Sequence, residues 1–524
     1  MSTLSIEHAT YNLGDMENAK RIFNIPDTLV IAVGPPACIR ILYFRALECG
    51  KLSKLKLMPI SSLDYTFGDY PIKIKSVIEN VLEKNCCKGV ILYISCPDLL
   101  SQTDFEKMLS EVENPRGIPL EIFKRGPMEK RKNKPSQRLN MITEKIENFS
   151  KTRNVSLSQD DELCELPPLA SDYTGILSLF PEENHICKFL ITGSGCANCP
   201  SSIDKLNEAD FIFSKFDDLQ AIHGFTAEIS EKIIDRVKQD KERKEIYLSM
   251  GTPITFMTSM HDDYMTRYHY FKKVFNFHTD GFHHAEESSG KALLKIGKEI
   301  ITNTPTKEKH INMIECNPFL FGKIHRFLEL EEYLKALGYS ISYLGYETWD
   351  SFKNASKAEL NLVFSRQGLS LAKWLERECN IPYIFELPIG ISGFNHWLES
   401  IGEILQVSIP NEWFLKKEIL SLPSAHVLLL GENEILDKLE ESIHDDFGLV
   451  VTRRPEIKNN DFQTGAITHV IGDSLYKFYL RDQINLIKFI PLPYPAISGN
   501  LYIDLKYEYM GKKGYDYFKS FFLN

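Results

Sequence analysis

The sequence lacks any apolar run long enough to cross a bilayer, and Met1 to Lys20 are charged and polar throughout, with no apolar core of signal-peptide length. A cytoplasmic location, away from membranes, is the expectation. No G-x-x-x-x-G-K-[ST] loop occurs, so any ATP chemistry belongs to a separate chain. The Gly431-Glu432-Asn433-Glu434 turn lacks the further glycines of a dinucleotide fingerprint. Positive charge is also short. The 61 Lys and Arg against 71 Asp and Glu leave a net charge of −10 and an isoelectric point near 5.9, which argues against a nucleic-acid binder, because neutralising phosphates needs a concentrated basic face. The 11 cysteines are an odd number, a poor match to full pairing in a reducing compartment, which leaves metal ligation and ordinary buried thiols as their uses.

What is present is the composition of a globular protein: 524 residues, 43% hydrophobic and 25% charged, enough for three or four domains. Apolar β-rich runs alternate with amphipathic stretches, as in Leu29 to Val33, Ile39 to Leu47, Ile74 to Leu82 and Val90 to Ser95. That alternation predicts an α/β chain of repeated Rossmann-like parallel-sheet domains. The expected division is a first α/β domain over 1–125, a basic linker over 126–160 that carries one helix, and further α/β domains over 161–305, 306–410 and 411–524. Acidic clusters such as Glu329 with Glu331-Glu332 read as solvated helix faces.

Two turns carry the strongest chemical signal. Gly34-Pro35-Pro36-Ala37-Cys38 and Gly193-Ser194-Gly195-Cys196 each follow an apolar strand and end in cysteine. They imply a degenerate internal duplication with two half-sites at the carboxyl edges of parallel sheets, where open α/β sheets place their ligands. The guest that suits such turns is an iron–sulfur cluster shared between the halves. Cys96-Pro97 ends another strand of the first half, and the corresponding place in the second half reads Thr252-Pro253. Cys164 precedes the second half, and Cys199 forms a CxxC pair with Cys196. Cys49, Cys86, Cys87, Cys187, Cys316 and Cys379 read as core or surface thiols.

With these motifs the chain resembles component 1 of the nitrogenase superfamily, the group that includes the dark-operative protochlorophyllide and chlorophyllide reductases and the nickel-tetrapyrrole reductase of methanogens. The resemblance implies that Cys164 matches the first ligand position of that family, Cys38 and Cys196 the second and Cys96 the third, with the Asn12 region and Thr252 standing where ligands are missing. Four thiolates suffice for one [4Fe–4S] cluster, whereas a P-cluster asks for six. The chain then looks like a fusion of one cluster domain with a complete three-domain subunit. Gly281-Phe282-His283-His284-Ala285-Glu286 resembles the family segment that brings a histidine to the active-site cofactor, so His283 and His284 are candidate proton donors.

The stretch Lys357 to Arg366 resembles the one whose cysteine anchors the molybdenum cofactor, and Ser365 takes that place, followed by Arg366 on the implied cavity wall. Glu508 to Tyr515 resembles the closing motif, with Met510 in place of the cofactor's histidine ligand. A hydroxyl is a poor soft-metal ligand, so the FeMo-cofactor and dinitrogen reduction are disfavoured. The implied partners are a homodimeric ATP-dependent iron-protein reductase, which delivers electrons through the cluster, and a small-molecule or tetrapyrrole substrate; a homodimer of this chain is compatible with the pattern. The competing readings are a scaffold on which a cluster or tetrapyrrole is assembled, and a redox-inactive homologue.

Overall fold

In the computed structural model the apolar runs become strands of four sheets, and each sheet repeats one wiring. Its four parallel strands lie in the spatial order second, first, third, fourth along the chain. The described residues are 5–9, 17–84, 87–124, 134–152, 166–181, 183–193, 195–204, 211–216, 227–240, 243–260, 265–321, 327–418, 425–457, 466–480, 487–492 and 508–523. They divide into two compact units, 1–177 with 184–285, and 178–183 with 286–524. Among them no helix is long and apolar enough to cross a membrane.

The first unit holds two of the sheets. One is built from Thr28–Gly34, Leu55–Pro59, Gly89–Ile94 and Leu120–Lys124, the other from Ile186–Leu190, Phe211–Lys215, Ile246–Met250 and Lys273–Phe277. Thr28–Gly34 and Gly89–Ile94 are buried at every position, which is why they read as unbroken apolar runs rather than alternating ones. The strand Ser5–His8 pairs antiparallel with Phe211–Lys215, so the amino-terminal segment extends the second sheet, across the boundary expected at residue 125. The region expected as a linker is packed as well. Its helix Pro135–Thr152 buries Leu139, Ile142 and Ile146 at helical spacing, and Arg138 donates to the Ile122 carbonyl at 3.1 Å. Gly89 makes room for that helix, since a Cβ there would lie 2.8 Å from Ile146 Cδ1.

The second unit holds the sheets His310–Ile314, Ser340–Leu344, Leu360–Val363, Tyr383–Phe385 and His426–Leu430, Val450–Arg454, His469–Asp473, Lys488–Leu492. It also takes all but the first residue of the helix Ala285–Ile300, which the sequence division grouped with the preceding domain. Glu329 and Glu331 are not solvated as expected but buried: Glu329 Oε2 accepts the Lys513 N–H at 2.9 Å, and Glu331 Oε1 accepts the Tyr343 hydroxyl at 3.0 Å.

Across the two halves of the first unit, Arg40 and Asp204 form an ion pair at 2.7 Å with side chains only 1% and 0% exposed. Removing one partner leaves the other charge buried without its counterion. Asp204→Ala should therefore lower the unfolding free energy by about 3–5 kcal/mol in denaturant titrations, with the Arg40→Met, Asp204→Leu double variant recovering much of the loss. A single variant as stable as the parent would contradict this.

Candidate functional site

Each half-site is built by a strand running into a constrained turn. Thr28–Gly34 ends at Gly34, with φ +142°, where a Cβ would lie 2.5 Å from Ser95 Oγ, so this turn excludes other residues. Pro35 and Pro36 then start the helix Pro36–Glu48, and Cys38 lies in its first turn. The neighbouring parallel strand Gly89–Ile94 leads to Ser95, which caps the helix Cys96–Leu100 in a reciprocal box with Asp98. Asp98 accepts Ser95 N–H at 2.7 Å, Ser95 Oγ–H at 2.6 Å and the Tyr65 hydroxyl at 2.6 Å; burial still pushes its carboxyl up to about 6.

In the second half Cys196 sits in the tight turn Gly195–Ala197, and Thr252 caps the helix Pro253–Thr258 while donating to the Ile191 carbonyl at 2.9 Å. The thiols of Cys38 and Cys196 lie close enough to shift each other's ionisation. That contact holds Cys196 down at about 7, with the Thr192 side chain adding to it, and together with burial it pushes Cys38 well up. The charges of Cys96 and Asp98 act on Cys38 in the same direction, which puts Cys96 in the same group. Cys96 and Leu100 also pack on the core that includes Ile254. Three of the four expected thiols are thus together, from both halves. Cys164 lies outside the described residues, as do Asn12 and Ser194. Cys199 points elsewhere: its thiol donates to the Ala37 carbonyl at 3.5 Å, and burial pushes it up to about 12.

A second clamp closes the same region. Asp172, buried, accepts N–H groups from Tyr173 at 2.8 Å, Asp280 at 2.8 Å and Gly281 at 2.9 Å, and burial raises it to about 7. Gly281, with φ +75°, faces Pro253 and Ala37 so closely that a Cβ would lie 2.6 Å from Pro253 Cγ. His283 Nδ1 lies 3.0 Å from Asp280 Oδ1, and His284 forms a single β-bridge with Ser171; both histidines are exposed. Although Asp172, Asp280 and His283 bring ligand atoms within 4.8 Å of one another, the backbone donors already account for Asp172.

The second unit contains a cavity of about 680 Å³. Ser365 and Arg366 line it, with Glu286, Glu434, Arg453 and Arg454 among the other walls. Met510 is buried but does not line it: its carbonyl accepts the Gly514 N–H at 3.2 Å, and the following Gly511 N–H donates to Pro388 at 2.8 Å. The histidines expected beside this cavity belong to the first unit. Sequence reasoning missed Glu286, although it falls inside the quoted helix-start motif, and Glu315, which follows the strand His310–Ile314 with φ +59°. Glu315 accepts Ser289 Oγ–H at 2.7 Å and Asn317 Nδ2–H at 2.8 Å. An acidic residue directly after a buried strand was the available signal.

Residues 210–422 match the family model of the nitrogenase component 1 type oxidoreductases. A light-independent protochlorophyllide reductase chain of Crocosphaera subtropica is 27% identical over 134 residues, covering 24% of this chain and 26% of that protein. Its counterpart in Pleurastrum terricola is 35% identical over 89 residues, 16% of this chain and 17% of that protein. The chain therefore spans about a quarter or less of the length of these curated relatives. A solved structure, Nitrogenase Cp1 at pH 6.5, superposes with a TM-score of 0.50 at 15% identity over 71% of this chain and 95% of that one, a likeness of fold.

The acids of the cavity region carry a pH signature. Burial raises Glu315 to about 7 from an ordinary 4.5. A carboxyl raised on folding favours the native state fully below its unfolded pKa, and that contribution is lost as pH rises from about 4.5 to about 7. Unfolding free energy should fall across this window, and Glu315→Gln should flatten the slope by up to about 1.4 kcal/mol per pH unit. An unchanged slope in urea titrations of the variant would refute the assignment.

Proposed function

We propose, for this nitrogenase component 1-like chain, that it is an oxidoreductase component holding an iron–sulfur cluster between the two halves of its first unit. It receives electrons from a separate ATP-hydrolysing iron-protein reductase and reduces a small molecule other than dinitrogen. The observation that carries this reading is the gathering of Cys38, Cys96 and Cys196 from three strand ends and from both halves.

The donor set fits the group. Thiolates are the usual ligands of iron–sulfur clusters, Cys164 is the fourth candidate beyond the described residues, and [4Fe–4S] is the type that four ligands suit. When bound, such a cluster supplies single electrons at low potential. The chain's own residues do the positioning. Arg40 ties the Cys38 helix to the second half, the Ser95–Asp98 box orients Cys96, and Thr252, held to the Ile191 carbonyl, stands where a further cysteine is missing. The helix Ser62–Phe67, whose Tyr65 bonds Asp98, leaves Leu63 and Phe67 exposed, an apolar surface close to the sulfurs for the partner reductase to approach.

Ser365 in the cavity and Met510 away from it leave no soft-ligand pair for a molybdenum cofactor, which supports a substrate other than dinitrogen. The relatives named as protochlorophyllide reductases make a tetrapyrrole one substrate class to try. His283, exposed and paired with Asp280, keeps the role of proton donor in this reading, with His284 beside it.

Anaerobic purification with iron and sulfide analysis and electron paramagnetic resonance tests the proposal. About four irons per chain, lost in Cys96→Ala, are expected for one cubane within the chain. About two would mean a cluster shared between chains, and none would remove the electron-transfer role. Substrate-dependent ATP turnover with the partner reductase separates a reductase from an assembly scaffold.

A further inference from the structure

Turns that leave the carboxyl edges of two parallel strands wall the cavity of the second unit. Ser365 follows the strand Leu360–Val363, and Asn433 follows the strand His426–Leu430 and caps the helix Glu434–Phe447. Arg366 ties the two turns together: its backbone N–H donates to the Glu434 carboxylate at 3.0 Å, and its Nε lies 3.3 Å from the same group. Such edges are where open α/β sheets place their ligands.

Each turn brings a hydrogen-bond donor that the protein does not use. Ser365 is 2% exposed and precedes the turn Arg366–Gly368 without capping it, and its Oγ has no partner among the described residues. Asn433 spends only its oxygen. Its Oδ1 accepts the Leu436 N–H at 2.8 Å, which fixes the orientation of the amide, and its buried Nδ2 donates to nothing among the described residues. Buried polar atoms are seldom left so, and a hydroxyl and an amide N–H in one cavity wall point to a guest that supplies an acceptor.

The charges of the wall largely answer one another. Arg366 meets Glu434 and Arg453 meets Asp437. Glu434 and Asp437 also stand in the first turn of the helix Glu434–Phe447, where they already meet the positive end that would otherwise draw an anion. Both unanswered donors are neutral, so the guest they suit is neutral as well.

We propose that this cavity binds the carbonyl oxygen of an uncharged organic molecule, an amide or a ketone, which accepts from Ser365 Oγ–H and Asn433 Nδ2–H. One carbonyl oxygen has two lone pairs and can take both donors. As a substrate class for the reductase this rests on the reading above; as a binding site it stands without the cluster. Arg454 in the lining would instead favour a carboxylate, and Glu286 a cation, which sets the opposing arms of the test.

The full chain, purified anaerobically, is titrated at pH 8 with N,N-dimethylacetamide, which accepts hydrogen bonds but neither donates them nor carries charge, and separately with sodium acetate and acetamidinium chloride, each followed by saturation-transfer NMR of the small molecule. Saturable dimethylacetamide binding is expected, weakened about two- to tenfold by Ser365→Ala, the range that one neutral hydrogen bond supports. Asn433→Asp, which keeps the oxygen that caps the helix and removes the donor, should weaken it at least as much. Thermal melts check that each variant folds. Because the Ser365 hydroxyl is unanswered inside the protein, Ser365→Ala without the probe should melt no lower than the parent. The inference is overturned by absent dimethylacetamide binding, by binding that either substitution leaves unchanged, by tighter binding of acetate or acetamidinium, or by a lower melting temperature of Ser365→Ala. Iron content read on the same samples separates the two claims: an iron-loaded chain that ignores dimethylacetamide sinks this one alone, and an iron-free chain that binds it through Ser365 and Asn433 sinks the reductase reading alone.

Discussion

Two charges with no access to solvent hold the first unit's halves in register. Arg40 stands just past Cys38 on one helix, and Asp204 closes the turn that follows Cys199; their side chains meet at 2.7 Å. An unpaired charge at that depth costs several kcal/mol, so an arrangement that slides one half along the other is penalised at both ends. Arg40 also donates from Nε to the Pro168 carbonyl at 3.0 Å and lies 5.3 Å from the centre of the Phe44 ring. Cys38 lies on the helix that this pair ties to the second half. Cys196 ionises more readily because of its contact with Cys38, and Arg40, two residues beyond Cys38, ties the same helix to Asp204.

Much of the fold was legible in the sequence, for a physical reason. Strands covered on both faces are mostly apolar, so Thr28–Gly34 and Gly89–Ile94 announce themselves as runs, and glycine or proline marks where they turn. The duplication was visible because the same strand-then-glycine turn recurs. The structure carries the repetition further, with one strand order in all four sheets. Less legible were elements whose partners lie far along the chain. Ser5–His8 is too short and too polar to read as a strand until Phe211–Lys215 offers its edge. The helix Pro135–Thr152 follows a basic tract that resembles a linker, and only the sheet beneath explains its three buried residues. Glu329 and Glu331 looked solvated because composition cannot show the Lys513 amide and the Tyr343 hydroxyl that receive them.

The candidate site divides along the same line. Cys38, Cys96 and Cys196 could be read from the sequence because each ends a strand in a turn of restricted residue choice. The Arg40–Asp204 pair could not, since 164 residues separate its members and neither sits in a motif. Glu286 was in plain view beside His283 and His284, but a helix-start acid normally faces solvent, and nothing local reveals that Glu315 and Glu434 crowd it. Met510 shows the converse: it stands in a motif that the sequence singled out, yet its backbone is held by Gly514 and it takes no part in the cavity.

The central claim is that sulfurs from two halves of one polypeptide hold a single inorganic cluster. Anomalous diffraction at the iron absorption edge from anaerobically grown crystals tests it most directly. The account predicts one compact group of iron peaks bonded to Cys38, Cys96 and Cys196. Iron bound elsewhere, with these three sulfurs in bonding contact with none of it, would contradict it.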